Sequence, residues 1–181
     1  MKVLLHVCCG PCAIYPVQEL RAKGMKVTGY FFNHNIHPYQ EYRRRLDASR
    51  EFALRVQLEL VCRDEYLLDE FLAAVAADPA SRCGYCYSSR LEATAQAAAE
   101  MGFPAYSSSL LYSRYQNHER IREMGTKIGE RYGVQFVYDD FRRGWQEGIA
   151  RSKEMGLYRQ PYCGCIYSEK DRYLPQAPSA R

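Results

Sequence analysis

Short apolar runs alternate with longer stretches of helical period along the chain. Lys2 to Val7 is almost unbrokenly apolar, as in a strand buried on both faces of a parallel sheet. Gly10-Pro11 turns the chain, and Ala13 to Lys23 then reads as a helix closed by Gly24. Lys26 to Phe32 is a second strand, Asn33 to Pro38 a loop, and Tyr39 to Arg55 a long basic helix. Gln57 to Cys62 supplies a third strand, followed by a helix over Glu65 to Ala76 and a turn at Pro79 and Ser81. Arg90 to Met101 reads as an Ala-rich helix ended by Gly102, and Ala105 to Ser109 as a short strand. Glu119 to Tyr132 is helical up to Gly133, Val134 to Tyr138 is a fifth strand, and Phe141 to Met155 is a further helix stopped by Gly156.

This alternation predicts an α/β fold, a mostly parallel, doubly wound sheet with helices on both faces. A single domain is expected over residues 1–174, with a frayed tail over 175–181, where two prolines fall among Ser and Ala. In such sheets a ligand sits at the carboxyl ends of the strands. The Cys8 loop follows the first strand and the Ser107–Ser109 loop follows the fourth, so both are expected to face one crevice.

Composition narrows the class. With 181 residues, 47% hydrophobic, 25% charged, 13% aromatic and net charge +4, the chain is neither disordered nor a disulfide-stapled miniature. It has no apolar run long enough to span a bilayer, and Val3 to Val7 is too short for a signal peptide, so a cytoplasmic protein with no membrane partner is expected. Most of the 25 Lys+Arg residues are Arg, and there are 16 Tyr. Arg grips phosphate bidentately and Tyr offers a stacking face, which is a modest lean toward nucleic acid.

The 8 cysteines change the picture more. In a reducing compartment, clustered thiols bind metal or do redox chemistry. Seven of the eight fall in three groups: Cys8, Cys9 and Cys12; Cys83 and Cys86; Cys163 and Cys165. Cys62 stands alone at a strand end and reads as a small buried hydrophobe. Cys9-Gly10-Pro11-Cys12 has redox-motif spacing, but its place at the chain start is wrong for a thioredoxin fold. Cys83-x-x-Cys86 is a half-site for zinc or an iron–sulfur cluster. One such site takes four ligands, so seven thiols leave three for a second metal or a redox pair. Gly10, Gly84 and Gly164 would let the backbone approach a bulky inorganic ligand.

His6-Val7-Cys8-Cys9-Gly10-Pro11-Cys12, Cys83-Gly84-Tyr85-Cys86 and Tyr158-Arg159-Gln160-Pro161-Tyr162-Cys163-Gly164-Cys165, taken in this order, resemble the cobalamin-independent (QueH-type) epoxyqueuosine reductases. The resemblance extends over Gly29 to Asn33, Glu41-Tyr42-Arg43 and Tyr106 to Tyr115. It implies reduction of epoxyqueuosine to queuosine at the wobble base of a tRNA anticodon. It further implies a [4Fe-4S] cluster beside a mononuclear metal (iron or zinc), a low-potential donor such as ferredoxin or flavodoxin, and a core like the PP-loop, nucleotide-binding (HUP-like) folds. The family pattern is expected to vary between Cys and Asp at Cys12, so the ligand set here is all sulfur.

On that reading Cys8, Cys9, Cys12, Cys83, Cys86, Cys163 and Cys165 are the metal ligands. Because neighbouring side chains point apart, one of Cys8 and Cys9 is assigned to the cluster and the other, with Cys12, to the second metal. Cys163 and Cys165 close the two sites. Cys12, Tyr85 and Tyr162 are the catalytic candidates, with His6 a further proton donor. Arg114 and Arg159 are the best substrate contacts, within a wider set of Arg43, Arg44, Arg45, Arg120, Arg142 and Arg143 of which about half should touch nothing. Two alternatives share parts of the pattern: an ATP-using PP-loop enzyme acting on tRNA, which would need a Ser/Gly-rich phosphate cradle after the first strand, and a non-enzymatic zinc module for nucleic acid.

Overall fold

The computed structural model describes residues 1–175. The tail expected to fray over 175–181 lies, from residue 176 on, outside the described residues. Five strands, β1 (Lys2–His6), β2 (Lys26–Phe31), β3 (Leu60–Cys62), β4 (Ala105–Ser108) and β5 (Gln135–Phe136), form one sheet in the order β3-β2-β1-β4-β5. Every pairing is parallel. The order reverses direction at β1, so β1 and β4 are neighbours whose chains leave toward opposite ends of the sheet. That is the switch point at which doubly wound sheets open a crevice.

Val3, Leu4 and Leu5 are wholly buried on β1, as their unbroken apolar run predicts. Helix α1 (Gly10–Ala22) packs on α2 (Tyr39–Arg55), while α4 (Arg82–Glu100) packs on α5 (His118–Tyr132). The remaining helices are α3 (Leu68–Val75), α6 (Trp145–Glu154) and α7 (Ile166–Tyr173). A β-carbon on Gly10 would stand 2.4 Å from the Ala48 carbonyl oxygen, so the first turn of α1 meets α2 backbone to backbone only because residue 10 is glycine.

Three element ends differ from the sequence reading, and each moves a cysteine. Helix α1 starts at Gly10 with Pro11 in its first turn, where a missing N–H costs nothing, so Cys12 is helical. Helix α4 starts at Arg82, after a single 3-10 turn at Pro79–Ser81, so Cys83 and Cys86 lie on its first turns instead of in a loop. Helix α7 follows Cys165 directly, and the Cys165 thiol accepts from the Ser168 amide as its cap. Strand β5 is shorter than the expected Val134–Tyr138, and Phe141–Gly144 is a 3-10 turn ahead of α6.

Candidate metal centre

The crevice at the β1/β4 switch point is built first by backbone. Strand β1 ends at His6, and the Cys8 amide donates to Ser109 Oγ at 3.0 Å, which joins the two loops expected to share a crevice. Cys9 is extended (φ −169°, ψ 162°) and α1 begins immediately after it. That change of direction brings Cys8, Cys9 and Cys12 together: their sulfurs all lie within 4.8 Å of one another. Cys8 and Cys9 Sγ are 4.0 Å apart, so these neighbours converge, against the expected division between two sites. The Gln160 side chain spans the group, accepting from Cys9 Sγ at 3.2 Å and donating to Cys12 Sγ at 3.0 Å.

Only one of the three thiols ionises readily without a metal. Hydrogen bonds from the Cys12 and Cys9 thiols hold Cys8 well below the usual thiol range. Burial pushes Cys9 up, and the bond to a Cys8 thiolate pushes Cys12 up. A bound cation replaces the remaining protons, which is the usual coupling of metal binding to thiol ionisation.

Four of the five remaining cysteines, Cys83, Cys86, Cys163 and Cys165, form a second group. Burial raises Cys83, and the charges of Cys163 and Cys165 raise it further. Burial takes Cys86 to about 12, and Cys163, Cys165 and Cys83 add to the shift. Two distant stretches of chain therefore face each other here. Cys86 and Cys165 are buried, whereas Cys83 and Cys163 are exposed. Arg45 docks the second stretch. Its Nε donates to Glu41 Oε1 at 2.7 Å, and its two terminal nitrogens donate to the carbonyls of Cys163 (2.7 Å) and Tyr162 (2.9 Å). Tyr158 donates to the other Glu41 oxygen, and the His37 amide donates to the Gly164 carbonyl.

Buried Arg90 was invisible to the sequence reading. It is 2% exposed, donates to Cys86 Sγ at 2.8 Å and has no carboxylate partner among the described residues. Burial opposes its charge, and the Cys86, Cys163 and Cys8 sulfurs outweigh that penalty. A buried guanidinium needs a negative partner. Metal-bound thiolates supply one and neutral thiols do not, so the donor set fits a sulfur-ligated, negatively charged group.

The other candidates separate. The Tyr162 hydroxyl is committed to the His37 carbonyl, and burial with the nearby Glu41 raises its pKa to about 12. His6 is fully buried between Ser108, Phe32 and Asn33 and, through burial and Arg90, is neutral down to about pH 4, so it orients the crevice wall and is no imidazolium acid. Tyr85 packs edge-on against His34. Cys62 is half-buried beside Phe31 and apart from both groups. Gly84 and Gly164 serve protein packing: a β-carbon would meet Arg120 at 2.2 Å and Asn35 at 3.3 Å. Arg45 is buried and spent within the protein, whereas Arg43, Arg142 and Arg143 hold carboxylates at the surface.

A solved structure described as a predicted subunit of a tRNA methyltransferase from Methanocaldococcus jannaschii superposes with TM-score 0.57 at 13% identity, over 85% of this chain and 75% of that one. That likeness carries the fold. Proteins named epoxyqueuosine reductase QueH from Dehalococcoides mccartyi and Thermotoga maritima are each 36% identical, over 98% and 99% of this chain and 98% and 96% of theirs. One of the same name from Streptococcus pyogenes is 32% identical over 93% of this chain and 71% of its own length. The model of the epoxyqueuosine reductase QueH family matches residues 3–171, and with it all seven clustered cysteines, so the chain belongs to that family of oxidoreductases.

Proposed function

We propose that the chain reduces epoxyqueuosine to queuosine in tRNA, drawing electrons from a low-potential donor such as ferredoxin or flavodoxin. The observation that carries this reading is the convergence of three cysteine groups at the switch point of a parallel sheet. Opening the epoxide and expelling its oxygen as water, with an alkene left behind, takes two electrons and two protons. No acid–base pair of side chains supplies electrons. A four-iron cluster held by Cys83, Cys86, Cys163 and Cys165 would supply them, and a single iron or zinc ion held by Cys8, Cys9 and Cys12 would supply an electrophile for the epoxide oxygen.

Spacing supports this division. The triad's sulfurs are gathered as one ion needs, with three protein ligands leaving a fourth position open. The four-thiol group supplies four sulfurs, as a cluster needs. Gln160 fixes Cys9 and Cys12, Arg45 holds the Cys163 strand in place, and Arg90 neutralises sulfur charge. Of the residues read as proton donors, Tyr85 is assigned delivery to the leaving oxygen. The base itself has to leave the anticodon stack to reach this depth.

The PP-loop alternative needs open backbone amides and hydroxyls after β1. Here the Cys8 amide is spent on Ser109 and the turn is filled by thiols. Anaerobic reconstitution followed by iron, sulfide and zinc analysis separates the rest. Iron and sulfide with turnover of epoxyqueuosine-containing tRNA is the expected result. A colourless protein with stoichiometric zinc, no sulfide and no turnover would mark it as a zinc module.

A further inference from the structure

The chain's arginines divide into two populations. Arg43, Arg50, Arg63, Arg122, Arg142 and Arg143 each hold a carboxylate. Arg21, Arg44, Arg114, Arg120, Arg159 and Arg172 are exposed and hold none among the described residues, Arg21 being spent on the Val56 and Gln57 carbonyls. One unpaired arginine means little alone, but Arg114, Arg120 and Arg159 border the thiol crevice, Arg159 adjoining the Gln160 that bridges Cys9 and Cys12, and Arg44 lies by a separate cavity beside Tyr158. Arg120 lies against Gly84, between Cys83 and Cys86. Arg159 and Arg114 both act on the Tyr112 phenol, which also feels Cys12 and Cys9. Arg114 lies 5.6 Å from the ring centre of Trp145, which stacks on Tyr112. Arg44 lies 5.7 Å from the ring centre of Tyr158 and opens on a cavity of about 380 Å³, whose walls are the rings of Tyr158, Pro161, Tyr162 and Tyr173 together with the carboxylates Glu41 and Glu169.

We propose that Arg114, Arg120 and Arg159 form a phosphate collar around the thiol crevice, extended by Arg44 along the Tyr158–Tyr162 stretch, and that the cavity beside Arg44 stacks one unpaired base of the same RNA loop. The proposal rests on the reductase reading for its partner, an anticodon loop. Free guanidiniums flanking the thiol site from separate segments match a backbone that must curve around one base drawn inward. Guanidiniums stacked on Trp145 and Tyr158 are pre-oriented, so less side-chain freedom is lost when phosphate binds. Aromatic and proline faces in the cavity accept any base.

The test uses the metal-loaded full chain and an anticodon stem–loop RNA, with binding read by fluorescence anisotropy across a salt series. Each collar Arg→Gln should weaken binding several-fold and flatten the log–log salt slope by about 0.7 to 0.9 for each phosphate no longer neutralised. Tyr173→Ala should weaken binding while leaving the slope unchanged, because stacking releases no counterions. Arg142→Gln, whose guanidinium is held by Asp140, should bind as the parent does. Metal content and melting temperature, checked in parallel, guard against misfolding. The collar is overturned if its variants match Arg142→Gln in affinity and slope while the parent still binds and turns over RNA; that outcome leaves the reductase reading standing. Failure of the parent to bind or turn over the RNA overturns both.

Discussion

The two thiol groups are built in opposite ways. Cys8, Cys9 and Cys12 come from one strand-to-helix turn, buried in the main core, with the Cys8 amide held by Ser109 just after β4 and with Cys9 and Cys12 bridged by Gln160 from the Tyr158–Cys165 stretch. Cys83, Cys86, Cys163 and Cys165 come from segments about eighty residues apart in sequence, with Cys83 and Cys163 exposed. The first group is organised by the sheet that every residue of the core supports. The second exists only while the Tyr158–Cys165 stretch stays docked, and Arg45 anchors that docking together with Glu41, His37 and Gln116. A site of high rigidity thus sits beside one that can be disassembled locally, without unfolding the sheet.

Breaking the dock gives the largest expected effect. Arg45→Leu leaves Glu41 buried without its partner and frees two backbone carbonyls, which costs about 3–5 kcal/mol. Chemical denaturation should show that loss. Metal analysis should show the four-thiol group emptied while the triad still takes one ion. Equal loss of metal from both groups would remove the contrast.

Acid should act on both walls. His6 behind the triad and His37 behind the second group titrate at about 4 when folded, and His34 at about 3, against 6.5 unfolded. Burial is the first cause in each. The unfolded chain therefore binds more protons below pH 6.5, so stability rises with pH and is lost as pH falls from about 6.5 toward 4. His6 alone contributes about 3 kcal/mol over that window. Thermal melts from pH 7 to 4 should show this slope, and His6→Gln should reduce it. A flat profile for the parent would mean the histidines are not buried neutral.

The smallest effect sharpens the border of the site. Cys62→Ala removes one half-buried sulfur from the Phe31 cluster and should cost at most about 1 kcal/mol, with metal content unchanged. A change in metal stoichiometry would bring Cys62 into the site.

The parallel sheet and the crevice were legible because buried strands announce themselves as apolar runs, and the loops after β1 and β4 follow from order alone. The seven clustered cysteines stood out as candidates by spacing. Their grouping was not legible, because side-chain direction at Cys8 and Cys9 depends on where α1 begins, and Pro11 starts that helix earlier than the apolar period does. The arginines misled for a related reason. Arg43, Arg44 and Arg45 look alike in sequence, yet on α2 only Arg45 stands one helical turn from Glu41 on the inward face with Ser49. Helical period carried that information. Arg90 was hidden because its direct partner is a thiol, Cys86 one turn earlier on the same helix, and its other partners, Cys163 and Cys8, lie on distant segments.

The central claim is that the triad and the four-thiol group carry separate loads, a single ion and an iron–sulfur cluster. Its most direct test is iron, sulfide and visible absorbance per chain after anaerobic reconstitution of Cys12→Ala and Cys86→Ala. Cys12→Ala should keep the sulfide and the cluster absorbance at roughly 400 nm, and lose one metal; Cys86→Ala should lose the sulfide and the colour. A bleached Cys12→Ala, or a fully coloured Cys86→Ala, would contradict the division.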